Sequence, residues 1–208
     1  MKIKVCGMKI PANIAAVSAM NIDYMGFIFY APSPRYVSNT LDTNILENTK
    51  IKGVGVFVNE AIEKVQFTQT QNNLQYVQLH GDESPDYCQK MKAAGFVVTK
   101  AFPVNDDFDF IQLKNYLAAC DYFLFDTKGK THGGTGKKFN WNILQQYTYE
   151  KPFFLSGGIG PEDVESVLAF QHPQLHALDL NSKFEIAPGG KNVQSLEQFL
   201  NKLNFLNS

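Results

Sequence analysis

Short runs of β-branched and aromatic residues alternate with longer amphipathic stretches along the whole chain. The runs predict strands at Lys2–Cys6, Tyr24–Phe29, Lys52–Val58, Tyr76–Leu79, Val97–Ala101, Tyr122–Asp126, Phe153–Ser156 and His176–Leu180. The stretches between them predict helices near Pro11–Met20, Asp42–Asn48, Glu60–Gln69, Ser84–Ala94, Asp107–Ala118, Asn140–Tyr147, Pro161–Phe170 and Val193–Leu203. Helix starts are marked by Pro85 after Ser84 and by Pro161 after Gly160. Eight strand-then-helix units of about 26 residues each suit a (β/α)8 TIM barrel near its lower length limit. A doubly wound open sheet shows the same alternation, but eight units with no spare element favour the barrel. No Gly/Pro/Ser-rich linker interrupts the pattern, so residues 1–208 read as a single domain.

Composition narrows the class. The 208 residues are 44% hydrophobic, enough for one large core, and 17 Phe with 9 Tyr argue against disorder. Lys plus Arg total 19 against 20 for Asp plus Glu, a net charge of -1 that gives no electrostatic case for nucleic acid or an anionic membrane. The opening MKIKVCGMKI places charges where a secretory leader needs an apolar run, and no apolar stretch approaches a membrane span. Cys6, Cys88 and Cys120 are odd in number and widely spaced, which suits a reducing cytoplasm better than disulfides or zinc. No His/Asp/Glu set has metal-ligand placement, so no metal is expected.

In a barrel of this kind chemistry sits at the strand C-termini and the loops after them. Cys6 ends the first strand, and Gly7 lets the chain turn there. A buried cysteine usually acts as a small hydrophobe, which fits Cys88 and Cys120; Cys6 differs in ending a strand at the functional face, where a catalytic role is open to it. A free thiol titrates near about 8.5, so a catalytic Cys6 should give a rate that rises with pH. Asp126 closes the apolar run Tyr122–Phe125, where desolvation can keep a carboxyl protonated and able to donate; the plain alternative is a capping or solvated carboxylate. The Gly/Lys-rich segment that follows, with GGTG at Gly133–Gly136, reads as a lid over substrate. Gly157 and Gly158 end the seventh strand before Pro161 opens a helix, a place where backbone N–H groups meet an anion. Arg35 is the sole arginine, set between Pro34 and Tyr36, which points to a need for its planar fork. Of the histidines only His80 stands at a strand end.

These segments, in order and in frame with the barrel units, make the chain recognisable. KVCGMK at Lys4–Lys9, GFIFYAPSPRYV at Gly26–Val37, GVFVN at Gly55–Asn59 and VQLHGDES at Val77–Ser84 are joined by four later ones. Those are FDTK at Phe125–Lys128, GGTGKKFNW at Gly133–Trp141, LSGGIGPEDV at Leu155–Val164 and the stretch from Asp179 to Lys191. Together they resemble the phosphoribosylanthranilate isomerase family over essentially the whole length. The resemblance implies an Amadori rearrangement of an aminoaldose to an aminoketose in tryptophan biosynthesis, on a small phosphorylated substrate and without a cofactor. It puts the general base on Cys6 and the general acid on Asp126. The anthranilate carboxylate falls to Arg35, further substrate contacts to His80 and Asp179, and phosphate to Gly157, Gly158 and the loop carrying Ser182 and Lys183. That loop departs from the family's Ser-Gly pair, since Lys183 replaces the glycine. A monomer is the default expectation, with a homodimer as the alternative.

Two other readings keep the barrel and change the function. A ribulose-phosphate epimerase wants metal-binding histidines and carboxylates at strand ends, and an indole-glycerol-phosphate synthase wants a catalytic lysine there. A non-catalytic phosphosugar-binding barrel shares the fold, but has no need for Cys6, Asp126 and Arg35 together.

Overall fold

A computed structural model describes residues 1–37, 41, 44–47, 49–127 and 138–206. Eight parallel strands close into a barrel in sequence order: β1 (Lys2–Val5), β2 (Tyr24–Ile28), β3 (Lys52–Phe57), β4 (Tyr76–Leu79), β5 (Val97–Val104), β6 (Tyr122–Thr127), β7 (Phe153–Leu155) and β8 (Leu175–Leu180). The closing pair is β1 with β8, in register from Lys2 opposite Ala177 to Val5 opposite Leu180. Closure decides between the two sheet topologies that the alternation permits.

The connections are less helical than their pattern predicts. Regular α-helices form at α1 (Pro11–Ser18), α2 (Ile62–Gln71), α3 (Pro85–Ala93), α4 (Val164–Ala169) and α5 (Val193–Leu206). The units predicted near Asp107–Ala118 and Asn140–Tyr147 are instead 3-10 turns at Phe110–Tyr116 and Trp141–Gln146, and Pro161–Asp163 is a 3-10 turn leading into α4. Phe110 and Leu113 are the buried residues of the first of these. Their three-residue spacing lines up on one face of a 3-10 helix, so packing on the barrel is met without a full α-helix. Only Asn44–Leu46 of the predicted Asp42–Asn48 helix forms a described turn, again 3-10. α3 follows its sequence signals: Ser84 caps it by accepting from the Tyr87 N–H, and Pro85 fills the first turn. α5 buries Leu196, Phe199, Leu200 and Leu203, an i, i+3, i+4, i+7 stripe; each such side chain contributes roughly 1.5–3 kcal/mol. A two-stranded antiparallel ribbon, β9 (Glu185–Ala187) with β10 (Gly190–Lys191), follows the eighth strand.

The larger apolar core lies between strands and helices, and a smaller one of Tyr24, Val54, Ala101, Leu124, Phe154 and Ala177 fills the barrel. Three of these inward positions are followed two residues on by a polar group: Leu124 leads to Asp126, Phe154 to Ser156 and Ala177 to Asp179. The barrel interior is therefore apolar below and polar at its C-terminal mouth, by the two-residue period of a strand.

Candidate active site

Lys4 and Cys6 alternate along the end of β1 and so share the inner face. Both are buried, at 1% and 3% exposed. The Lys4 ammonium reaches across the barrel to donate to Gln78 Oε1 on β4, and it pairs with Asp179 Oδ2 on β8 at 3.2 Å. Its charge, on the same buried face two residues before Cys6, favours the Cys6 thiolate. Burial pushes the Cys6 thiol above its ordinary value; Lys4 pulls the other way, Asp179 adds to the rise, and Lys191 opposes it, without cancelling the effect of burial. Gly7 has the positive φ, 76°, that a sharp turn after the cysteine requires. A Cβ there would lie 2.7 Å from both Arg35 Cδ and Asn181 Oδ1.

Gln78 Nε2 lies 2.7 Å from His80 Nδ1, and His80 Nε2 lies 3.4 Å from Asp126 Oδ2. Asp126 Oδ1 accepts from the Thr127 N–H at 2.8 Å. Asp126 thus stands at the barrel mouth with an N–H group on one oxygen and an imidazole beside the other, a more polar setting than the apolar run before it suggests. The turn carrying His80 is built by the HGDES motif. Glu83 accepts from the Asn59 and Gly81 N–H groups, while the buried Lys100 ammonium pairs with Glu83 at 3.2 Å and donates to Gly81 O at 2.6 Å. Sequence reading marked that motif without giving Glu83 or Lys100 a part in it.

Asp179 is 6% exposed, and burial raises its pKa while Lys4 pulls it down. Ser156 Oγ lies 3.5 Å from the same Oδ2 that meets Lys4. Among the described residues Oδ1 has no hydrogen-bond partner. A buried carboxylate oxygen with nothing to accept from is costly unless a ligand supplies a donor.

Arg35 uses its fork, but toward the protein. Nε lies 2.9 Å from Glu185 Oε1 and Nη2 2.7 Å from Oε2, on the ribbon after β8. Lys191, from the other strand of that ribbon, donates to Glu185 Oε1 at 2.8 Å and to Asn181 Oδ1 at 2.7 Å. Burial opposes the charge on Glu185, yet Arg35, Lys191 and the Gly189 N–H together hold its carboxyl below the usual range. A substrate carboxylate can therefore meet only the other edge of the guanidinium.

Gly157 and Gly158 both have positive φ, 93° and 69°, which glycine adopts without a Cβ penalty. A Cβ on Gly157 would fall 2.7 Å from Thr127 N and 3.1 Å from Asp126 Oδ1, so the exit of β7 lies directly against Asp126. The contribution expected from the helix opening at Pro161 narrows, because the Gly160 N–H is taken by Asp163 Oδ2 at 2.6 Å. Ser182 and Lys183 form the turn after β8, and Lys183 is exposed. The GGTG segment assigned to a lid, with His132, lies outside the described residues.

Residues 3–202 match the family model described as N-(5'-phosphoribosyl)anthranilate (PRA) isomerase. The chain is 44% identical over 206 residues to N-(5'-phosphoribosyl)anthranilate isomerase of Parabacteroides distasonis, covering 98% of this chain and 93% of the relative. Its fold superposes on phosphoribosyl anthranilate isomerase of Thermus thermophilus with a TM-score of 0.87 at 28% identity, covering 99% and 100% of the two chains. A second solved isomerase, in complex with reduced 1-(o-carboxyphenylamino)-1-deoxyribulose 5-phosphate, gives a TM-score of 0.82 at 30% identity, with 99% of each chain covered.

Proposed function

The chain belongs to the N-(5'-phosphoribosyl)anthranilate isomerase family, and from that premise we propose how its residues divide the work. The reaction converts N-(5-phosphoribosyl)anthranilate to 1-(2-carboxyphenylamino)-1-deoxyribulose 5-phosphate in tryptophan biosynthesis. The epimerase, synthase and non-catalytic readings fall with this assignment.

Asp126 gives a proton to the furanose ring oxygen as the C1–O bond breaks and the nitrogen lone pair forms a C1=N iminium. The Thr127 N–H and His80 then stabilise the carboxylate left behind. The iminium acidifies C2–H. Cys6, as thiolate, takes that proton; the C–H pair becomes a C1=C2 bond, and the nitrogen recovers its lone pair. The resulting enolamine becomes the ketone when C1 gains a proton and the C2 hydroxyl loses one. What carries this reading is the placement of one thiol and one carboxyl at the mouth ends of β1 and β6, three strands apart around the ring.

Asp179 Oδ1 accepts from a sugar hydroxyl, which resolves its unmet lone pairs. Gly157, Gly158, Ser182 and Lys183 hold the phosphate, and the open edge of Arg35 holds the anthranilate carboxylate. A monomer is the working unit proposed, with a homodimer as the alternative; sedimentation of the active enzyme tests this. Among the described residues no helix is long and apolar enough to cross a membrane. The three cysteines are free and buried, which suits the cytoplasm.

The test of roles is a pair of variants. Cys6→Ala should lose several orders of magnitude in kcat while still binding a reduced product analogue. Asp126→Asn should lose kcat with little change in analogue affinity. If Cys6→Ala kept even about a tenth of wild-type kcat, the base would be another group.

A further inference from the structure

The polar groups above the apolar plug of the barrel are joined in one line. Lysine has three N–H bonds and no acceptor. Lys4 donates to Gln78 Oε1 and to Asp179 Oδ2, and it stands two residues before Cys6 on the same buried inner face. Because Lys4 can only donate, Gln78 must present Oε1 to it, so the Gln78 NH₂ faces His80. That NH₂ also only donates. His80 Nδ1, 2.7 Å away, must therefore be the bare nitrogen, which leaves the imidazole proton on Nε2, facing Asp126 at 3.4 Å. One buried ammonium thereby sets the direction of every hydrogen bond between the base and the acid.

We infer that Lys4 and Gln78 are positioning residues for the reaction: Lys4 favours the Cys6 thiolate, and Gln78, oriented by Lys4, fixes His80 with its proton toward Asp126. The inference rests on the assignment of Cys6 and Asp126 above, yet both arms have a direct readout that does not depend on turnover. The charged groups facing Cys6 are Lys4 from β1, Asp179 from β8 and Lys191 from β10. β2 brings only Gly26, whose missing side chain leaves room for the sulfur. Of these charges Lys4 acts most strongly on the thiol, ahead of Asp179 and Lys191.

The Lys4 arm is read by thiolate absorbance against pH, with the spectrum of Cys6→Ser subtracted so that Cys88 and Cys120 drop out. Lys4→Met should raise the Cys6 midpoint by about one to three pH units, the range for an opposite charge in contact. The rising limb of kcat/KM should move with it while KM changes little. Lys4→Met leaves Asp179 unpaired, so the double variant Lys4→Met/Asp179→Asn answers if the single one does not fold; its midpoint should also rise, because Lys4 outweighs Asp179. An unchanged or lowered midpoint in whichever variant folds overturns the role of Lys4. The Gln78 arm is read by nitrogen NMR of the His80 ring. Wild type should carry its proton on Nε2 alone, and Gln78→Leu should lose that preference. kcat should fall by about tenfold or more, the worth of one hydrogen bond to a charged group, with Gln78→Glu failing to restore it. A His80 proton on Nδ1, or a Gln78→Leu ring and kcat like wild type, overturns the role of Gln78. A shifted thiol midpoint with an unmoved kcat/KM limb would place the fault in Cys6 as base instead.

Discussion

Arg35 clasps Glu185 with two parallel hydrogen bonds, so the only guanidinium of the chain is anchored before any substrate arrives. Fixing the fork in advance removes an entropy cost from binding. Two variants separate anchoring from direct contact. Arg35→Lys should weaken substrate binding by roughly 1–3 kcal/mol. Glu185→Gln keeps the arginine and loosens its hold, so KM should rise less, and kcat should stay near wild type. An analogue without the carboxylate should be nearly indifferent to both changes. If that analogue lost as much as the substrate, Arg35 would serve the loop and not the ligand.

Cys6 is expected to give a pH limb above the ordinary thiol value of about 8.5. Burial is the larger influence on the group, and Lys4 offsets only part of it. The sequence placed the limb at the ordinary value because it gave no measure of how fully the sulfur is enclosed. kcat/KM, which reports the free enzyme, should still be rising at that pH. A limb centred well below it would show that the thiol is more exposed or more strongly paired than its surroundings allow.

Strand order and barrel closure were legible because short apolar runs recur eight times along the chain with no spare element. Lys4 and Gln78 were not. A lysine alternating with valine and isoleucine reads as an outward position on a half-exposed strand, but a closed barrel has no wet face along its length. Glu185 and Lys191 were missed for another reason. Their strands are three and two residues long, too short to show a two-residue period. The turns at Phe110–Tyr116 and Trp141–Gln146 read as helices because a period of three and one of 3.6 differ little over two turns.

At the opposite end of the barrel His176 sits among Tyr24, Tyr122 and Phe154, with Nε2 2.9 Å from the Tyr24 hydroxyl. Burial, helped by Lys2 and Lys52, lowers its pKa to about 4. An unfolded histidine takes its proton near about 6.5. Between those values the unfolded chain binds more protons, so folding stability should fall as pH drops from about 6.5 toward about 4. His176→Gln should flatten that part of the Tm-against-pH curve. An identical slope in wild type and variant would assign the acid lability to other groups.

Lys183 stands where the family pattern has glycine, in the turn that follows β8. Glycine would offer an N–H and close approach; lysine offers the same N–H and adds an ammonium on a long stem. Its side chain is exposed, so it is free to swing toward a dianion held by Gly157 and Gly158 at the end of the neighbouring β7. Exposure also makes the contact sensitive to salt, since a charge acting through water loses influence beyond about 10 Å at 0.1 M ionic strength. We expect inorganic phosphate to inhibit Lys183→Gly and Lys183→Met more weakly than wild type at low salt. The gap should narrow as ionic strength rises. Met preserves the stem and Gly restores the family residue, so a loss shared by both isolates the charge. Unchanged phosphate inhibition in Lys183→Met would mean that only the backbone of this turn meets the phosphate.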